Sequence, residues 1–206
     1  MIDALFKPLR YLAIKEDVGG KFKVDVVIPL IIALVISLIF LYLKIWHQIH
    51  LFGTDSSLIQ NIIGLVQILP GFYIAALAAI STFPSSSMDK DMPEPTPYLN
   101  KATGVEKDYL CRRRFLCYMF AYLAYISIIT LFLTAVIAFV YSTALFKTSA
   151  FIDNTVYFFS CLAIYFLIIQ TVSLTFVGLW YLGERIHFND PEDIIFSEES
   201  EESERN

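Results

Sequence analysis

Residues 26–46 read VVIPLIIALVISLIFLYLKIW, a run whose single charged residue, Lys44, stands two positions from its end. At about 1.5 Å of helical rise per residue, such a run crosses a hydrocarbon layer about 30 Å thick. Pro29 falls in the first turn, where a missing N–H costs no intrahelical bond. Three further runs, 58–83, 115–141 and 152–182, satisfy the same length requirement. The expected fold is therefore all-α: a polytopic membrane protein with four transmembrane helices at about 26–46, 58–83, 115–141 and 152–182.

Composition supports this class. The chain is 57% hydrophobic with a mean hydropathy of +0.62, against an apolar share of about 45–50% in soluble domains, so one membrane domain takes up most of its length. The first run starts 25 residues in and exceeds the roughly 7–15 apolar residues of a secretory signal, so it is expected to remain in the mature protein.

Alternate threading of the four spans puts residues 1–25, 84–114 and 183–206 on one face, together with 13 of the 15 Lys and Arg. Lys44 and Lys147 belong to the far ends of the first and third spans. The positive-inside rule then predicts that both termini and the central loop are cytoplasmic. The expected organisation is an amphipathic N-terminal segment (1–25), a four-helix transmembrane domain (26–182) with a cytoplasmic loop (84–114), and an acidic cytoplasmic tail (183–206). In the first segment Leu5, Leu9 and Leu12 recur at helical spacing beside Lys7, Arg10 and Lys15, the pattern of a helix lying in the headgroup layer. Gly19-Gly20 reads as a hinge after it.

Charge placement excludes several functions. No Asp, Glu, Lys, Arg or His stands in the middle of a span, which argues against proton-coupled transport and ion pumping. The chain lacks HExxH, GxSxG and phosphate-loop motifs, so no enzymatic activity is expected. His47 and His50 have metal-compatible spacing but only Asp55 near them. Cys111, Cys117 and Cys161 form no CxxC pair. Neither a metal nor another cofactor is therefore expected.

Packing and polar candidates concentrate on the second span, GLVQILPGFYIAALAAI at 64–80. Pro70 is expected to kink it, and Gly64, Gly71, Ala75 and Ala79 supply small residues for helix or oligomer packing. This makes the second helix the expected centre of the bundle or of an oligomer. Gln67 and Gln170 lie at depths within about 5 Å of each other, so their amides are placed to meet inside one subunit. The other reading of these amides is a polar pore lining in an oligomer. Tyr118, Tyr122 and Tyr125 stripe the third span, and Trp46 and Trp180 read as interface anchors.

Outside the membrane, the loop begins PSSSMDKDMPEPTPYL, whose prolines predict extended backbone. It ends at Arg112, Arg113 and Arg114, candidates for contact with anionic lipid at about 1 kcal/mol each. The segment 183–206 carries nine acidic residues against Arg185 and Arg205 and makes the whole chain acidic. Within it, Ile194, Ile195 and Phe196, framed by Glu198, Glu199, Glu201 and Glu202, form a candidate partner-binding segment that orders on a basic groove.

The four-span plan, with STFPSSSMDKDMPEPTPYL (81–99), CRRRFLCYMFAYLAYIS (111–127) and GLWYLGERIH (178–187), resembles the membrane subunits of bacterial anti-phage defence operons, the Kiwa membrane-subunit family in particular. That resemblance covers the span plan over most of the chain but includes no catalytic motif. It implies a multi-pass protein of the bacterial inner membrane that forms a homo-oligomer, a tetramer by analogy. It also implies a sensor of phage attack that works with a soluble cytoplasmic partner able to bind DNA, itself making no direct nucleic-acid contact. The reading that follows is a non-catalytic sensor or scaffold whose partners are membrane lipids, its own copies and a soluble protein. The alternative is an oligomeric pore-forming effector that depolarises the cell.

Overall fold

The structure, a computed structural model, describes residues 6–16, 20–47, 51–52, 57–82, 86–92, 96–100, 107–143 and 149–185. Four of its helices are long and apolar enough to cross a membrane, and the protein is an all-α membrane protein. In chain order the elements are a 3-10 helix (Lys7–Ala13), α1 (Gly20–His47), α2 (Ser57–Thr82), the short α3 (Ser86–Asp89), β1 (Tyr98–Asn100), β2 (Lys107–Tyr109), α4 (Arg112–Ser142) and α5 (Ala150–Trp180).

The first span starts earlier than its apolar run. Helical backbone begins at Gly20 and passes through a π-turn at Lys23–Val27, so Gly20 is part of the helix rather than of a hinge. Lys21 and Asp25, at i and i+4, close an ion pair of 2.7 Å that lets both charges enter the helix. The second span is helical on both sides of Pro70.

Side-chain packing orders the spans α2–α4–α5–α1. The second helix is peripheral, not central: only 11% of its most apolar window is buried, against 33% for α4. The centre of the bundle is α4 and α5, which face each other and each take one further span on the outside. Gly178 of α5 is the close-approach point, since a Cβ there would lie 2.7 Å from Met119 Cε and 3.3 Å from Phe120 Cζ. By contrast, nothing lies within 4 Å of a Cβ built at Gly64 or Gly71, and Ala75 and Ala79 are exposed. The small residues of α2 therefore turn away from the other spans, and the expectation that they pack helices together within the chain is corrected.

Two core clusters divide the bundle by depth. One surrounds Leu116, Met119, Phe120 and Leu123 of α4, and the other surrounds Tyr157, Cys161 and Ile164 of α5 with Leu51 and Phe52. At the second cluster α1 and α5 are joined by Lys44, whose Nζ lies 2.6 Å from Asp153 Oδ2 and 4.5 Å above the Tyr157 ring. Lys44 is thereby paired and buried at the end of α1, although it ends an apolar run. The Tyr157 hydroxyl accepts the Leu51 N–H at 3.2 Å, which ties the turn after α1 to α5.

Candidate functional site

The opposite end of the bundle, where α1, α4 and the exit of α5 meet, carries a cluster of hydrogen-bonded polar groups and a folded cap. The N-terminal 3-10 helix belongs to it. Tyr11 and Ile14 of this segment are buried against α4, with the Tyr11 ring stacked 5.3 Å from that of Tyr122. Leu12 is 47% exposed and Leu9 only partly buried. Tyr11 and Ile14 carry the packing with Leu9 at its edge, Leu12 faces outward, and Leu5 lies outside the described residues.

Asp25 is the hub. Its Oδ1 accepts from the Tyr11 hydroxyl at 3.4 Å, and its Oδ2 is paired with Lys21. Lys21 Nζ donates to the Tyr11 carbonyl at 3.1 Å and sits 4.0 Å above the Tyr11 ring. Burial, reinforced by the Asp25 charge, pushes the Tyr11 hydroxyl well above its usual pKa and holds it as a donor. Gln170 of α5 completes the cluster by donating through Nε2 to the Asp25 carbonyl at 2.9 Å and accepting through Oε1 from Tyr122 at 3.0 Å.

The expected pairing of Gln67 with Gln170 is corrected by this geometry. Gln170 is buried with both ends of its amide occupied by Tyr122 and Asp25, while Gln67 is exposed on α2. Similar depth did not bring the amides together because α2 packs chiefly along α4 and turns the face that carries Gln67 outward. The polar contact between α2 and α5 runs instead through the Tyr73 and Thr175 hydroxyls, 2.6 Å apart.

The central loop folds into a cap. Ser86–Asp89 is a helical turn, and β1 and β2 form an antiparallel hairpin with Tyr98 opposite Tyr109. Lys15 and Tyr98 exchange both backbone hydrogen bonds at 2.9 Å, so the N-terminal segment runs beside the hairpin. Met92, Leu99 and Leu110 are buried beneath it. The expectation of extended backbone holds for the hairpin residues and gives way to a helical turn at 86–89.

The basic triplet clasps this cap. Arg113 makes two parallel bonds to Asp89, Nε to Oδ1 at 2.7 Å and Nη2 to Oδ2 at 3.1 Å, and a third to the Ile80 carbonyl at 3.1 Å. Arg114 grips Asp108 with Nη1 and Nη2 at 3.3 and 3.0 Å. Such forked pairs fix orientation as well as charge. Arg112 is buried, and its backbone N–H donates to the Lys90 carbonyl at 3.1 Å. The expected lipid contact is corrected for Arg112, which is inside the fold, while Arg113 and Arg114 engage acidic residues of the loop.

Of the remaining candidates, Ile194, Ile195, Phe196, Glu198, Glu199, Glu201 and Glu202 lie outside the described residues. So does His50, while His47 ends α1. Sequence reasoning passed over Tyr11, Lys21, Asp25, Asp89, Asp108 and Gly178. The i, i+4 spacing of Lys21 and Asp25 was the one legible signal among them.

Fold and site together define a four-span α-helical membrane protein with a clasped extramembrane cap at its basic end. Protein-family models, curated proteins and solved structures were each compared with the chain, and none matches.

Proposed function

We propose that this protein is a non-catalytic scaffold or sensor of the bacterial inner membrane whose basic end faces the cytoplasm and receives a soluble protein partner. The carrying observation is the cap itself. A loop that joins two spans is tied to the N-terminal segment by the hairpin and to α4 by two forked Arg–Asp pairs. A preordered face loses less conformational entropy on docking than a free loop, which favours a binding role for it. The distribution of Lys and Arg supports the cytoplasmic orientation. The resemblance to Kiwa membrane subunits supports anti-phage defence as the setting, with a DNA-binding protein as the partner. The acidic tail supplies the second contact, through Ile194, Ile195 and Phe196.

A second reading, an oligomer that opens a pore, is favoured by the outward face of α2. Gln67 is exposed there beside Gly64 and Gly71, and an amide facing hydrocarbon is better satisfied by another copy of the chain. Homo-oligomer formation fits both readings.

Two measurements test the proposal. Reporter fusions at Asn206 and within residues 53–57 should give opposite readouts, with Asn206 cytoplasmic. Mild-detergent purification from the native host, followed by mass spectrometry, should recover one soluble protein in fixed ratio to the chain. A pure homo-oligomer that conducts ions in planar bilayers overturns the scaffold in favour of the pore.

A further inference from the structure

Beside Asp25 the bundle opens into a pocket of about 270 Å³, at the level where the apolar spans give way to the cap. Its charged lining among the described residues is Glu16, Lys21 and Asp25. Lys21 is already committed: its Nζ meets Asp25 at 2.7 Å, the Tyr11 carbonyl at 3.1 Å and the Tyr11 ring at 4.0 Å. Asp25 is neutralised by that pair. Glu16 is not, for its Oε2 accepts the Lys21 backbone N–H at 3.3 Å and no cation pairs with it among the described residues. Among the described residues the pocket therefore presents one uncompensated negative charge.

The other walls select the kind of cation. Phe115, Trp180 and Tyr181 line the pocket, with the Phe115 and Tyr181 rings 5.4 Å apart. Aromatic faces attract organic ammonium groups, and the described residues bring together no group of three or more His, Cys, Asp or Glu that would hold a metal ion. Val24 and Val177 complete the wall, so an apolar chain attached to the cation meets apolar surface. Tryptophan and tyrosine at this level mark the membrane–water interface, where amphiphiles concentrate.

We propose that this pocket binds the ammonium group of a membrane amphiphile, with Glu16 as counter-charge and Trp180 as an aromatic wall. The ammonium belongs to an aminophospholipid headgroup or to a free long-chain amine. The assignment does not depend on partner docking or on orientation in the membrane.

Trp180 is one of only two tryptophans, and Trp46 lies at the opposite end of the bundle, so Trp46→Phe leaves Trp180 as the sole reporter. The full-length variant in non-ionic detergent is titrated with a brominated alkyltrimethylammonium and with a brominated alkylsulfate of equal chain length. Saturable quenching by the cation and only shallow, unsaturated quenching by the sulfate is the expected result. Glu16→Gln should raise the half-saturating concentration about tenfold, as loss of one charge-assisted contact would. Glu16→Asp, which keeps the charge, should stay within about threefold of the parent. Equal saturable quenching by the sulfate, or no change in Glu16→Gln, overturns the proposal. Lipid extraction separates the sources. One aminophospholipid retained per chain, and lost in Glu16→Gln, identifies the headgroup, whereas alkylammonium binding without retained lipid identifies a free amine.

Discussion

The side-chain amide of Gln170 donates to the backbone carbonyl of Asp25 at 2.9 Å, joining the fourth span to the first across 145 positions of sequence. Its oxygen accepts from Tyr122 of the third span, so one side chain links three helices at the level of the cap.

Replacing Gln170 by Leu should therefore destabilise the bundle by about 1–2 kcal/mol, because two interhelical bonds are lost and a buried tyrosine hydroxyl is left without its acceptor. Gln67→Leu should leave the isolated chain's stability within about 0.5 kcal/mol, since that amide is exposed on α2. Thermal unfolding in detergent, followed by circular dichroism, compares the two. Equal losses would mean that Gln67 has a buried partner.

Gly178 and Gly71 make a second contrast. Gly178→Leu should cost about 1–3 kcal/mol or more by forcing α5 away from Met119 and Phe120 of α4. Gly71→Leu meets open space and should leave the chain's own fold intact, so any effect on cross-linking between copies would report the oligomer alone. The same melts, paired with cross-linking yields, check both.

The Arg113–Asp89 clasp should be sensitive to acid. Hydrogen bonds from Arg113 hold the Asp89 carboxyl below its ordinary value of 3.8. A carboxyl depressed on folding contributes stability that is fully present above 3.8 and is lost as pH falls through the lower folded value. The clasp is therefore closed at pH 7. Hydrogen-exchange protection at the Met92 and Arg112 amides, which bond the Leu110 and Lys90 carbonyls, should drop below pH 3.8 while α4 and α5 stay protected. Asp89→Asn should show reduced protection at pH 7 and a smaller further loss on acidification than the parent, the remainder reporting the Arg114–Asp108 pair.

Deleting residues 190–206 should abolish capture of the proposed soluble partner without affecting membrane insertion, because these residues lie beyond the spans. Serine at Ile194, Ile195 and Phe196 should weaken capture at any ionic strength. Neutralising Glu198, Glu199, Glu201 and Glu202 should matter most below about 0.1 M salt, where the Debye length exceeds about 10 Å. Capture by the tail-less chain with unaltered affinity would assign the contact to the cap.

Hydrophobic run length was sufficient to read four spans, because a backbone crossing hydrocarbon must satisfy its hydrogen bonds internally and a helix of fixed rise does so. The alternation of Lys and Arg gave the expected orientation for a similarly one-dimensional reason, counting charges between runs. Which spans touch is a different kind of fact. Leu, Ile and Phe look alike to lipid and to another helix, so the sequence did not reveal that α2 is peripheral, or that Gly178 rather than Gly71 is the close-approach glycine. Asp25, Gln170 and Tyr122 belong to three different spans, and Asp89 and Arg113 are separated by a hairpin. Their partnerships depend on the order in which the helices pack and on how the loop returns over their ends, and only the tertiary structure decides either.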